Sequence, residues 1–245
     1  MHWLGPRPQV FNGETSHHLE DLSLPMRIIA VADTHLYHQD LGALPPGDVL
    51  VHAGDLLRGG TLDELAQGAQ WLNAQDFAHT ILVAGNHDRC FESQRQEAAA
   101  MLGPRVTYLQ DSATEIMGLK FWGSPWQPAY HNWAFNLPRG DALKAYWSRI
   151  PEDIDVLITH GPPAGMGDRS PVPGRGGCVQ LMERVQQVQP ALHLFGHIHQ
   201  DGGFWQPEHT AFANVTTWEC ERAVTIIDID PQTRSVQAVQ VPAAM

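Results

Sequence analysis

Five short apolar runs along the chain each break into polar residues. Residues 26–32, MRIIAVA, lead into Asp33, Thr34 and His35; residues 48–54, DVLVHAG, into Asp55; residues 81–84, ILVA, into Gly85, Asn86, His87 and Asp88. Residues 154–159, IDVLIT, lead into His160 and Gly161, and residues 191–195, ALHLF, into Gly196, His197, Ile198 and His199. Runs of this length without polar alternation suit strands buried on both faces, as in parallel sheets covered by helices. Only the carboxyl end of such a strand can present polar groups, and that end is where open α/β sheets bind ligands. The pattern predicts an α/β fold with Asp, Asn and His gathered where the strands end.

Helical periodicity is clearest over residues 61–75, where Leu62, Leu65, Ala66, Ala69 and Leu72 share a face and Thr61 with Glu64 forms a capping box. Further helices are expected over 92–102, 139–149 and 178–188. Residues 105–123 alternate short strands with turns at Asp111 and Gly118 and read as antiparallel additions. Closing strands are expected near 210–216, 223–229 and 234–240, the last two joined by a turn at 230–233. Residues 1–25 read as an irregular N-terminal arm, with His17 and His18 solvated, before one domain over 26–245. Pro45, Pro46 and Gly47 keep the loop after Asp33 from forming a helix, and Tyr37 and His38 in it line the site or lie on the surface.

Residues 124–140, SPWQPAYHNWAFNLPRG, follow neither period. Their aromatic residues, Trp126 among them, either pack against the fold or wall a flat ring such as a nucleobase. The Gly/Pro-rich loop 161–177 carries Arg169 and Arg175, which are surface residues or phosphate contacts.

Composition narrows the function. The formal charge is −12, from 15 Lys and Arg against 27 Asp and Glu, and no basic run exists to displace the counterions of a duplex. Long nucleic acid is therefore a poor substrate candidate, and the absence of a long apolar run argues against a membrane partner. The three cysteines, Cys90, Cys178 and Cys220, show no CxxC spacing, which fits a reducing cytoplasm better than a disulfide framework. The acidity suits a pair of divalent cations, which would cancel local charge and attract phosphate. His52 and His193 lie inside strands and read as core residues or as supports for ligands.

Singly, each polar cluster is weak. The ordered set DTH at 33–35, GD at 54–55, GNHD at 85–88, HG at 160–161 and GHIH at 196–199 resembles the calcineurin-like metallophosphoesterases. HAGDLLRGG, VAGNHDRCFE, GSPWQPAY, FNLPRG and ITHGPPAG further resemble its metallophosphoesterase-domain-containing branch, related to class III cyclic nucleotide phosphodiesterases.

The resemblance implies a four-layer αββα sandwich of two mixed sheets flanked by helices. It implies that Asp33, His35 and His199 hold one metal, that Asn86, His160 and His197 hold another, and that Asp55 bridges them. The donor set suits two divalent transition metal ions, Mn first and otherwise Fe, Zn, Ni or Co. Asn86, His87 and Trp126 would contact substrate, with His87 catalytic and Asp88 the natural partner to orient it, unless Asp88 serves a turn or a salt bridge. Some relatives in this branch carry Gly where this chain has His197, so a complete dinuclear centre is expected here. The implied activity is hydrolysis of small phosphodiesters, cyclic nucleotides among them, by a hydroxide shared between the ions. Phosphomonoester or protein phosphatase activity, and a non-catalytic nucleotide-binding scaffold, are the alternatives.

Overall fold

The computed structural model describes Met1, residues 24–170 and residues 176–242. Nearly all of the expected N-terminal arm, with His17 and His18, and Arg175 lie outside them. In chain order the elements are β1 (Met26–Val31), β2 (Val49–His52), α1 (Leu62–Ala74), β3 (His79–Leu82), α2 (Cys90–Ser93), α3 (Arg95–Met101) and β4 (Val106–Tyr108). Then come β5 (Ser112–Ile116), β6 (Leu119–Ser124), β7 (Gln127–Pro128), β8 (Asn136–Leu137), α4 (Asp141–Trp147), β9 (Val156–Thr159) and α5 (Val179–Val188). The chain closes with β10 (Leu192–Phe195), β11 (Gly203–Trp205), β12 (Ala211–Asn214), β13 (Thr225–Ile229) and β14 (Val236–Gln240).

Two mixed six-stranded sheets result, ordered β14-β13-β1-β2-β3-β4 and β11-β12-β10-β9-β6-β5. The apolar runs explain the layers. Alternate residues of β1, β2 and β3, such as Ile28, Val49 and Ile81, meet Phe121, Val156, Ile158 and Leu194 of the second sheet in a shared core. The intervening residues face outward: Ile29, Leu50 and Leu82 pack on Leu65, Leu72 and Phe91 of α1 and α2. On the second sheet Leu157 and Phe195 pack on Leu143, Trp147, Leu181 and Val185 of α4 and α5. Every central strand is thus covered on both faces, which is why its sequence shows no polar alternation, and the four layers are helix, sheet, sheet, helix. No helix among the described residues is long and apolar enough to cross a membrane.

Three expectations need correction. β4 is not an antiparallel addition: it pairs parallel with β3, while β5 forms the antiparallel hairpin with β6 in the other sheet. Asp111, at φ 49°, lies where the chain crosses between sheets. The helix expected over 92–102 is two pieces, broken at Gln94, whose φ of −138° is not helical. At α1 the Thr61 side chain accepts from Glu64 N as expected, but the Glu64 carboxylate reaches back to the N–H groups of Gly59 and Gly60 and pins the preceding loop.

Candidate metal centre

The loops leaving β1, β2, β3, β9 and β10 converge at one end of the two sheets. Asp33, His35, Asp55 and His197 sit there in the left-handed region, with φ of 57°, 44°, 56° and 71°. Non-glycine residues avoid that region, and such backbone persists where surrounding contacts over-determine it, commonly at functional sites. The contacts are present: Asp33 N donates to Gly54 O, His35 N to Asp55 O, and His197 N to the Asp33 carboxylate at 3.0 and 3.1 Å.

Two glycines make the close approach possible. A Cβ on Gly54 would collide with His160 Nδ1, and one on Gly85 would collide with Asp55 Oδ1 and N and stand 2.7 Å from His160 Cε1. The GD and GN dipeptides therefore permit the packing of Asp55 against His160.

Among the described residues, side-chain donor atoms gather into three overlapping groups: Asp33, His35 and His199; Asp55, His160 and His197; and His35, Asp55 and His87. Asp55 Oδ2 lies 3.8 Å from His35 Nε2 and 3.3 Å from His160 Nε2, between the first two groups. Asp33 Oδ1 is 3.6 Å from His199 Nε2, and Asn86 Oδ1 is 3.1 Å from His160 Nε2. The ring orientations are set from behind. His35 Nδ1 meets Leu57 O at 3.1 Å and His160 Nδ1 meets Ala53 O at 3.0 Å. A carbonyl only accepts, so each Nδ1 carries a hydrogen and each Nε2 is the atom turned toward the cluster.

Electrostatics show a demand for positive charge. Burial opposes ionisation of Asp33, yet His199 and His160 hold it well below the usual carboxylate range; Asp55 is held low against burial by His160 and His35. Burial likewise opposes the charged form of His160, but Asp55 and Asp33 raise its pKa to about 9. His52 and His193 show what burial does elsewhere: both are pushed down to about 3. Their Nε2 atoms lie 2.9 Å from Thr34 Oγ1 and Thr159 Oγ1, beside Asp33 and His160, so both strand histidines brace the backbone of the cluster.

A cleft of about 380 Å³ opens over the cluster. His87 projects into it half-buried. Its Nδ1 donates to Arg58 O at 2.5 Å, and its ring stacks on Trp133 with centroids 3.9 Å apart. The guanidinium of Arg89 lies over the same Trp133, 4.7 Å from its centroid. Asp88 does not orient His87. Its buried carboxylate accepts from the N–H groups of Gly85, Asp55 and Leu57 at 2.7, 2.9 and 2.9 Å, tying the β2 and β3 loops together. Burial and then Asp55 push Asp88 up to about 7, while the Gly85 and Leu57 N–H groups pull it down.

Trp126 also departs from expectation. Its Nε1 donates to Asp111 Oδ2 at 2.9 Å and its ring packs on Phe135 and Tyr146, so it is a packing residue outside the cleft wall. The loop residues that do reach the cleft are Gln127, Pro128, Ala129, Tyr130 and Arg139, with Trp133 behind His87. Their signal was only the density of aromatic and polar residues in a segment without a period. His38 is buried against Trp71, Tyr37 lies under Arg58, and Arg169 pairs with Asp201.

Comparison with known proteins agrees with this geometry. The family model described as calcineurin-like phosphoesterase matches residues 26–201. The chain belongs to this family. Metallophosphoesterase domain-containing protein 1 of Homo sapiens is 39% identical over 214 residues, 78% of this chain and 65% of its own length. A UPF0046 protein of Caenorhabditis elegans is 35% identical over 218 residues, 77% of this chain and 55% of its own. This member of the calcineurin-like phosphoesterases thus spans less than two thirds of the length of these relatives. Its fold is shared with TT1561 of Thermus thermophilus, at a TM-score of 0.62 and 16% identity over 87% of this chain and 98% of that one. A dimetal phosphatase from Danio rerio superposes at 0.53 and 12% identity, over 91% of this chain and 98% of that one.

Proposed function

We propose that the protein is a metal-dependent phosphodiesterase of small phosphodiesters, cyclic nucleotides among them. The observation that carries this reading is the convergence of Asp33, His35, Asp55, Asn86, His160, His197 and His199 at one end of the two sheets, with His87 beside them and not needed as a ligand. The donor set fits two divalent transition ions: two carboxylates, one amide oxygen and four imidazoles, with the rings of His35 and His160 already turned by backbone carbonyls. Asp33, His35 and His199 would hold one ion, Asn86, His160 and His197 the other, and Asp55 would serve both. Manganese leads the candidates, with Fe, Zn, Ni and Co after it. Such a pair supplies an activated water and neutralises charge that develops on phosphorus.

His87 acts on the substrate side. Burial favours its neutral ring, and an anionic phosphoryl oxygen beside Nε2 favours the protonated one. The proton is thus taken up when the ester binds, with Nδ1 anchored on Arg58 O, and passes from Nε2 to the departing alkoxide. Trp133 fixes the plane of the ring. The acidic chain is proposed to act in the cytoplasm on small esters and not on long nucleic acid.

Wild type loaded with Mn²⁺ is expected to hydrolyse bis-p-nitrophenyl phosphate faster than p-nitrophenyl phosphate, and His87→Ala to lose about 100-fold or more in turnover on the diester. A strong monoester preference would overturn the diesterase reading. The metal assignment has its own test in thermal unfolding. An ion at about 100 times its dissociation constant adds about 2.7 kcal/mol, which for a chain of this size raises the melting temperature by about 5–10 °C over chelated protein. His197→Gly should bind one ion where wild type binds two, read by elemental analysis; an unchanged two-ion content refutes its role as a ligand.

A further inference from the structure

One proposed ligand lacks the support that orients its counterparts. His35 and His160 are each held through Nδ1 by a backbone carbonyl, whereas among the described residues none accepts a hydrogen bond from His199 Nδ1. The His199 side chain is also 23% exposed, against 5% for His35 and none for His160. Two rings touch it instead. His35 meets it edge-on with centroids 5.5 Å apart, and Trp218 lies at 6.0 Å with a 45° tilt.

Trp218 has no place in the interior. Trp71, Trp122 and Trp147 belong to the apolar cores and Trp126 and Trp205 pack on them, but Trp218 joins none of the three. Nor does it line the cleft, so it meets His199 from outside the space a substrate would fill.

The backbone that carries this ring is strained. Trp218, Glu219 and Cys220 are all left-handed, with φ of 46°, 54° and 67°, the longest such run of non-glycine residues among those described. L-residues visit that region singly and not in succession, and strain of this kind persists where neighbouring contacts over-determine it. Here those contacts lead to the metal centre. The segment is the connection by which the chain leaves β12 in the second sheet for β13 in the first. Thr217 N and Oγ1 both donate to Ala32 O, at 2.9 and 2.8 Å, and Glu219 N donates to Asp33 O at 2.9 Å. Arg222 N closes the turn on Thr217 O at 2.9 Å, and the Arg222 guanidinium lies so close over Gly202 that a Cβ there would overlap Nη1. One turn thus grips the backbone of Asp33, abuts the segment that follows His199, and sets Trp218 against the His199 ring.

We propose that Trp218 is a positioning residue of the metal centre, backing the His199 ring so that Nε2 stays aimed at the ion shared with Asp33 and His35. The inference rests on the reading of these three side chains as ligands and is independent of which phosphoester is hydrolysed. Trp218 does for His199 what the Leu57 carbonyl does for His35: it removes a ring rotation that metal binding would otherwise have to freeze.

The test is calorimetric titration of chelator-stripped protein with Mn²⁺. Trp218→Ala should weaken one of the two binding steps about 10-fold or more, the scale on which loss of an orienting group lowers metal affinity. Trp218→Phe, which keeps an aromatic face, should recover most of that loss. In a His199→Ala background the ions still bound should be indifferent to Trp218→Ala, within about twofold, a coupling that general loosening of the fold does not produce. Circular dichroism of the stripped proteins checks folding, and if the alanine protein does not fold, Trp218→Leu, which fills space without an aromatic face, takes its place with the same expected loss. Wild-type affinity in Trp218→Ala, a phenylalanine protein no better than the alanine one, or a penalty that persists in His199→Ala overturns the assignment. Wild type that binds no Mn²⁺ at all would refute the metal centre and this role together, whereas two bound ions indifferent to Trp218 refute the role alone.

Discussion

Gly85→Ala is expected to remove most of the activity and most of the bound metal while leaving both sheets intact. The added methyl group would collide with Asp55 Oδ1 and N and with the His160 ring, two of the proposed ligands. Neither neighbour can give way freely. Asp55 is tied through its N–H to Asp88 and through Oδ1 to His87 N, and His160 is tied through Nδ1 to Ala53 O. A displacement of about 1 Å at a reacting centre costs about 100-fold in rate, so turnover should fall by at least that much. Overpacking of this kind also costs about 1–3 kcal/mol of stability. Elemental analysis and circular dichroism together check it: native secondary structure with full metal content would show that the glycine is not what seats Asp55 against His160.

Asp88→Ala should be among the most destabilising substitutions in the chain. Four buried N–H groups, of Gly85, Asp55, Leu57 and, more distantly, Leu56, lose their acceptor at once. A buried donor left unsatisfied costs about 1–3 kcal/mol, so a loss of about 3 kcal/mol or more is expected, read by denaturant or thermal unfolding. Asp88→Asn is no rescue, because its amide offers one acceptor oxygen where the carboxylate offers two, and its NH2 would face N–H groups. An Asp88→Asn protein of wild-type stability but altered turnover would instead restore the view of Asp88 as the partner of His87.

These cases show what the chain discloses on inspection and what it withholds. The strand ends were legible because burial on both faces demands unbroken apolar runs, so that Asp33, Asp55, Asn86, His160 and His197 stand out at the break. The helix over 61–75 was legible because Thr61 and the apolar spacing of Leu65, Ala69 and Leu72 specify it locally, although Ala66 of the expected stripe is exposed and Gly68 and Trp71 are buried in its place. Sheet partnership was not: nothing local tells Val106–Tyr108 to pair parallel with β3 while Ser112–Ile116 joins the other sheet. The loop 124–140 was opaque for a related reason. Lacking a period, it gave no means of separating Trp126, which is anchored on Asp111, from Trp133, which stacks on His87. Asp88 illustrates the same limit, since its partners are backbone groups that any sequence possesses.

The proposed ligands are divided between the sheets, Asp33, His35, Asp55 and Asn86 on the first and His160, His197 and His199 on the second, and His197 donates its backbone N–H to Asp33 across 164 positions of chain. During synthesis the early ligands must therefore leave the ribosome long before their counterparts exist. A nascent chain arrested before His197 can present only an incomplete cradle, and cation capture belongs to the closing act of folding, when the two halves of the sandwich meet.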